Sequence, residues 1–217
     1  MNLAAAAPQT LGLLMLEGDP LHRRIAVEAR LPLVKSALQD GRRRAVEAVV
    51  RWGNDPDAIA RACGIPVSDS NETADYGSTL VFAEYLRRPA RIVLYRPAIR
   101  RIDNAIAAHG FGEAFALRGA RSILLAHELY HHFDSSGSGA PLARRHRVVL
   151  FAWGPLRWSS GLTSLPEIAA GAFAQALLDL PFHPKVLELM LTRDFHPLRA
   201  PAPADGEDVG AGPACAP

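Results

Sequence analysis

Apolar positions along this chain fall mostly at helical spacing, with three short runs that suit strands. Residues 20–65 have helical character. Within them Asp55-Pro56 sets an N-cap before a proline at the first helical position, and Asp57 suits the same turn. Gly64 is a C-terminal stop for that helix. Residues 66–79 are rich in Ser, Asn, Asp, Thr and Gly and read as a loop. Residues 80–85 and 91–96 are strand candidates, and Pro89 between them suits a hairpin with an irregular turn. Ile99, Ile102 and Ile106 predict a helix that stops near Gly110. The next helix should cover residues 119–133, after which Ser135-Ser136-Gly137-Ser138-Gly139 forms a flexible loop. Residues 148–151 suit a short buried strand. Two further helices are predicted over 166–180, stopped by Pro181, and over 184–195. From His196 onward the chain is Pro, Ala, Gly and acidic residues, which read as a disordered tail. The pattern predicts an α+β fold, mostly helical, with a small antiparallel or mixed sheet. It divides into an N-terminal helical extension (1–54), a main domain (55–195) and the tail (196–217).

Composition narrows the classes. The chain has 217 residues, of which 49% are hydrophobic and 21% charged, a globular profile long enough for a real core. Its formal charge of +2 gives no electrostatic reason to expect direct nucleic-acid binding. The one basic triple, Arg42-Arg43-Arg44, reads as a solvated helix face rather than a phosphate-binding patch. Two cysteines, Cys63 and Cys215, with nothing local to pair them, suit a reducing compartment. Residues 1–16 are apolar but lack a basic start, and Glu17 and Asp19 follow, so no signal peptide is expected. No apolar run approaches the roughly 20 residues that span a bilayer. The expectation is a cytoplasmic protein with no membrane partner. Arginine far outnumbers lysine (Lys35 and Lys185 only), and with so much alanine this points to a high-GC bacterial source.

The chemistry is concentrated in Ala126-His127-Glu128-Leu129-Tyr130-His131-His132. Residues four apart on a helix share a face, so His127 and His131 can reach one metal ion. Glu128 stands beside them, where its carboxylate can take a proton from water acidified by that metal. The apolar run Ile123-Leu124-Leu125-Ala126 puts this His-Glu-x-x-His string on a helix. The alternative is two surface histidines flanking a surface glutamate.

A catalytic zinc site needs a third protein ligand. Asp134 is seven residues from His127, about 10.5 Å along a helix, too far for both to hold one ion. It suits an outer hydrogen-bonding role or a helix end. His132 points off the His127/His131 face, His146 reads as a surface residue, and His22, His109, His183 and His196 have no supporting pattern. Glu167 is the best third ligand. The small residues Ala170, Gly171 and Ala174 share its helical face, so that face can pack closely on another helix. The competing reading is a capping box, Ser164-Leu165-Pro166-Glu167. Trp153 and Trp158 suit either the lining of a substrate cleft or core and lid packing.

Three stretches resemble the ImmA/IrrE family of metallopeptidase-like domains. They are residues 59–67 with their Gly64-Ile65-Pro66-Val67 exit, residues 118–131 ending in Leu125-Ala126-His127-Glu128-Leu129-Tyr130-His131, and residues 167–178 beginning Glu167-Ile168-Ala169-Ala170-Gly171. The resemblance implies a zincin-like fold with the metal between two helices. It implies His127, His131 and Glu167 as ligands of zinc or manganese, and Glu128 as catalytic acid/base. It implies an endopeptidase acting on a protein substrate such as a transcriptional repressor. Gly171 departs from the family pattern, which has Asn or Asp there, and no helix-turn-helix follows residues 59–67. The alternative is a metal-binding regulatory module that does not cleave.

Overall fold

The computed structural model describes residues 6–73, 75–76, 79–108, 119–137, 139–154 and 156–195. Gly110, His109, Ser138, Cys215 and the expected tail from His196 lie outside them. The first helix, α1 (Pro8–Glu17), starts on a proline and buries Leu11, Gly12 and Leu16. The apolar character of residues 1–16 does not by itself predict this helix. After a short 3-10 turn (His22–Arg24), α2 (Val27–Trp52) runs for 26 residues. Its buried stripe, Val34, Ala37, Leu38, Gly41, Ala45 and Ala48, repeats at three- and four-residue steps.

Asp55 caps α3 (Pro56–Ala62) by accepting from the Asp57 N–H. The helix ends as the sequence suggests. Gly64 takes φ +66, Ile65 N–H reaches the Ala60 carbonyl and Gly64 N–H reaches Arg61. This pair of bonds satisfies carbonyls the helix end would leave bare.

The polar stretch expected as loop holds a strand, β1 (Val67–Ser70), and a small two-stranded pairing of β2 (Asp75–Tyr76) with β3 (Thr79–Leu80). The predicted hairpin is present as β4 (Ala83–Arg87) and β5 (Ala90–Tyr95). The resulting sheet is mixed, in the order β1-β5-β4, with β1 parallel to β5 (Val67 opposite Ile92) and β4 antiparallel to it (Tyr85 opposite Ile92). A polar strand such as Val67–Ser70 is visible only through its pairing with the apolar β5. Among the described residues β4 has no neighbour on its outer edge.

Helix α4 (Arg96–Ala108) follows, then α5 (Gly119–Ser136), which continues three residues past its expected end. A single turn, α6 (Leu142–Arg145), leads into a hairpin of β6 (Arg147–Trp153) and β7 (Leu156–Gly161). This element is longer than the expected strand, and residues 148–151 are half-buried or exposed rather than buried. Helices α7 (Ser164–Leu178) and α8 (Lys185–Phe195) complete the described chain.

The structure is therefore α+β and mostly helical, with a small three-stranded sheet. One hydrophobic cluster runs through it, from Leu11 and Val34 to Phe173 and Leu191. The N-terminal helices expected as an extension thus share the core of the main domain. The closest approach is between α2 and α7. A Cβ on Gly41 would lie 2.9 Å from the Phe173 nitrogen, with the Ala169 carbonyl nearer still, so only glycine lets the two backbones meet. Among the described residues no helix is long and apolar enough to cross a membrane.

Candidate metal centre

Helix α5 buries Ile123, Leu125, Ala126, Leu129 and Tyr130. Packing that face fixes the roll of the helix and leaves His127 and His131 partly open on one side, their ring centroids 5.0 Å apart. The roll is also pinned by a polar cluster. The Tyr130 hydroxyl donates to Asp40 Oδ2 at 2.8 Å, and Asp40 also accepts from Arg44 (2.9 Å), Arg43 (3.0 Å) and Arg145 (3.1 Å). Burial would raise the Asp40 pKa, yet hydrogen bonds from Arg145, Tyr130, Arg43 and Arg44 hold it well below the usual carboxylate range. The arginine triple is thus only partly a solvated face, since Arg44 turns inward onto Asp40 and the Phe133 carbonyl.

Helix α7 supplies the facing carboxylate. Its start is satisfied by Asp19, which accepts from the Ser164 N–H at 2.9 Å and from the Thr163 hydroxyl at 3.3 Å. The capping box considered for Ser164 and Glu167 is not formed. Glu167 turns instead to the histidines: Oε2 lies 3.1 Å from His127 Nε2 and Oε1 3.4 Å from His131 Nε2. Two donors sharing a tetrahedral ion with bonds of about 2.0–2.1 Å sit roughly 3.3 Å apart. Each of the two Glu167–histidine contacts falls near that separation. Glu128 belongs to the same group: ligand atoms of His127, Glu128 and His131 lie within 4.8 Å of one another.

The two glutamates are in opposite electrostatic settings. Burial raises the Glu128 pKa, and the nearby histidine charges and a hydrogen bond from the Tyr85 backbone offset this only in part. Partial desolvation would raise Glu167 too, although half its side chain stays exposed, but hydrogen bonds with both histidines hold it well below the usual range. Burial would lower His127, but its bond to Glu167 and the charges of Glu167 and Glu128 raise it. The two carboxyl groups are thus shifted in opposite directions, Glu167 down by its bonds to the histidines and Glu128 up by burial.

Beside this group opens a cavity of about 280 Å³ whose apolar walls include Met15, Phe82, Ile102, Ile123, Leu124 and Leu187. His183 also lines it, a residue the sequence reading passed over. It is buried on the loop before α8, and its Nδ1 accepts from the Lys185 N–H at 3.2 Å. A Cβ on Gly171 would lie 2.5 Å from His183 Nε2, so the ring occupies the space that glycine leaves open. The signal available was Gly171 itself, a missing side chain on a buried helix face.

The remaining candidates lie apart. Asp134 accepts the Leu142 N–H with both oxygens (3.0 and 3.1 Å), which starts α6. This is the helix-end role, transferred to the next helix. His132 Nδ1 lies 3.1 Å from the Tyr85 hydroxyl, and His146 Nε2 3.4 Å from Ser36. Trp153 and Trp158 are on the exposed hairpin, neither core nor a wall of this cavity.

Comparison with protein-family models, with curated proteins and with solved structures finds no match.

Proposed function

We propose that this chain is a zincin-like, metal-dependent endopeptidase of the ImmA/IrrE kind, with His127, His131 and Glu167 holding zinc, or manganese in its place. The observation that carries the reading is the reach of one Glu167 carboxylate to both imidazoles at 3.1 and 3.4 Å, across two helices packed on a common core. The donor set of two imidazoles and one carboxylate suits zinc and leaves a coordination position open. When bound, such an ion supplies Lewis-acid chemistry, polarising a carbonyl and acidifying water.

Glu128 does the proton work. Its carboxylate accepts a proton from the attacking water and returns it to the nitrogen of the departing amine. A buried carboxylate with a raised pKa is suited to both halves of that transfer. The outer edge of β4 offers a place for an extended substrate. Tyr95 N–H bonds the Phe82 carbonyl, so by alternation the backbone groups of Ala83, Tyr85 and Arg87 point away from β5. An extended peptide added there would run beside Glu128. The substrate we propose is a protein, with a transcriptional repressor as the first class to try.

The experiment is Glu128→Gln, which keeps the shape and removes the base. With metal retained, cleavage of a protein panel should fall by at least about 100-fold. Unchanged function in that variant would move the assignment to a metal-binding module that does not cleave.

A further inference from the structure

The β6–β7 hairpin carries a patch the centre does not use. Cross-strand pairing sets its faces: Phe151 opposes Trp158, and Trp153 opposes Leu156, beyond a register shift after Val149. By alternation all four side chains lie on one face. They are exposed at 59% (Phe151), 75% (Trp153), 68% (Leu156) and 71% (Trp158). The opposite face carries Arg157 opposite Ala152, and Arg147, whose Nε bonds the Ser159 hydroxyl at 2.7 Å. Arg24 joins the middle of β6 to the body through the Leu150 carbonyl at 2.9 Å. From residue 135 to 166 there is no aspartate or glutamate, against Arg144, Arg145, Arg147 and Arg157. Only Arg145 of these is spent on an internal ion pair among the described residues.

We propose that this hairpin docks the protein on an anionic lipid surface, with Phe151, Trp153, Leu156 and Trp158 entering the interface and Arg157 beside the tip meeting the headgroups. Indole rings favour the headgroup boundary, and arginine beside an apolar tip adds attraction to anionic lipid. Arg157, next to the tip, can extend its stem so that the guanidinium stays at the headgroup level. The size of the patch favours lipid over a second copy of the chain. The four side chains together expose roughly 600 Å², less than the roughly 800 Å² per partner of a stable pair. The patch is carried on a projecting two-stranded arm and lines neither the metal-site cavity nor the cleft along β4. A fluid acyl layer conforms to such a tip, whereas a protein partner must supply a matching pocket. Docking of this kind needs no spanning helix, and it is independent of the peptidase reading.

The test uses the full chain with vesicles of phosphatidylcholine alone or containing about one-third phosphatidylglycerol. The protein should co-sediment with the anionic vesicles, less well at high salt and poorly with phosphatidylcholine alone. Trp153→Ser with Trp158→Ser should weaken binding by about tenfold or more, and Arg157→Glu should weaken it on anionic vesicles as well. An unchanged thermal midpoint checks the fold of each variant. In a Trp52→Phe background, emission from Trp153 and Trp158 should shift to the blue on the anionic vesicles. No co-sedimentation of the wild type, or full binding by the tryptophan double variant, would overturn the proposal. So would a dimer in sedimentation velocity that the tryptophan variant splits, since a second copy would then own the face.

Discussion

Gly41→Ala places a methyl group where α2 and α7 touch backbone to backbone. The new Cβ would stand 2.9 Å from the Phe173 nitrogen and 3.0 Å from the Ala169 carbonyl carbon, with the carbonyl oxygen closer still. Ordinary non-bonded contact begins at about 3.5 Å, so the helices must part by roughly 1 Å. Neither neighbour is a flexible side chain, so the strain belongs to the upper part of the overpacking range of about 1–3 kcal/mol. For a chain of this length each kcal/mol shifts the thermal midpoint by about 2–4 °C. A fall of roughly 4–10 °C is expected, followed by circular dichroism. The same displacement acts on the centre, because Glu167 lies two residues before Ala169 on α7. Ligand distances tolerate about 0.2 Å, so zinc should bind at least about tenfold more weakly, read by competition with a chromophoric chelator. Gly18→Ala is the contrast, because its Cβ would meet nothing nearer than 3.4 Å and its φ of −76° suits any residue. That change should stay within about 0.5 kcal/mol. If Gly41→Ala matched wild type in both midpoint and zinc affinity, the close packing of α2 on α7 would be refuted as the support of the centre.

Asp40→Ala should cost about 3–5 kcal/mol, measured by urea unfolding, because it leaves Arg43, Arg44, Arg145 and the Tyr130 hydroxyl without their shared acceptor. His183 gives a pH dependence, since burial pushes its imidazole from 6.5 down to about 4. Above pH 6.5 the ring is neutral in both folded and unfolded chain, and its stabilising share is fully present. Below that the unfolded chain takes up the proton first, so this share is lost as pH falls from 6.5 to about 4. The loss amounts to about 3 kcal/mol at most. Wild type minus His183→Gln in unfolding free energy should show that slope, and a flat difference would contradict the neutral buried ring.

The parts of the fold legible in sequence were those with a local signal. The Asp55-Pro56 cap, the Gly64 stop and the β4–β5 hairpin each follow from residues within a few positions of one another. Helix α5 was legible from its apolar run, and so were His127, Glu128 and His131 as one group. Glu167 was reached through the small residues on its helical face and, above all, through the family resemblance, and the structure brings it to the two histidines. What escaped depended on distant partners. β1 is a strand because Val67–Ser70 lies along β5, although its own residues read as a loop. α1 lacks a side-chain cap, so its start carried no polar marker. The start of α7 is held by Asp19, 145 residues away, which freed Glu167 from the local cap its neighbours suggested. His183 sits in a loop, and its ring is buried against the gap at Gly171.

The most direct test of the account is the zinc content per chain of purified wild type beside Glu167→Ala, with folding of both checked by circular dichroism. The account predicts close to one zinc per wild-type chain and a clear drop in the variant with the fold kept. Wild-type protein that holds no metal even after zinc is supplied, or a variant that holds as much as wild type, would contradict it.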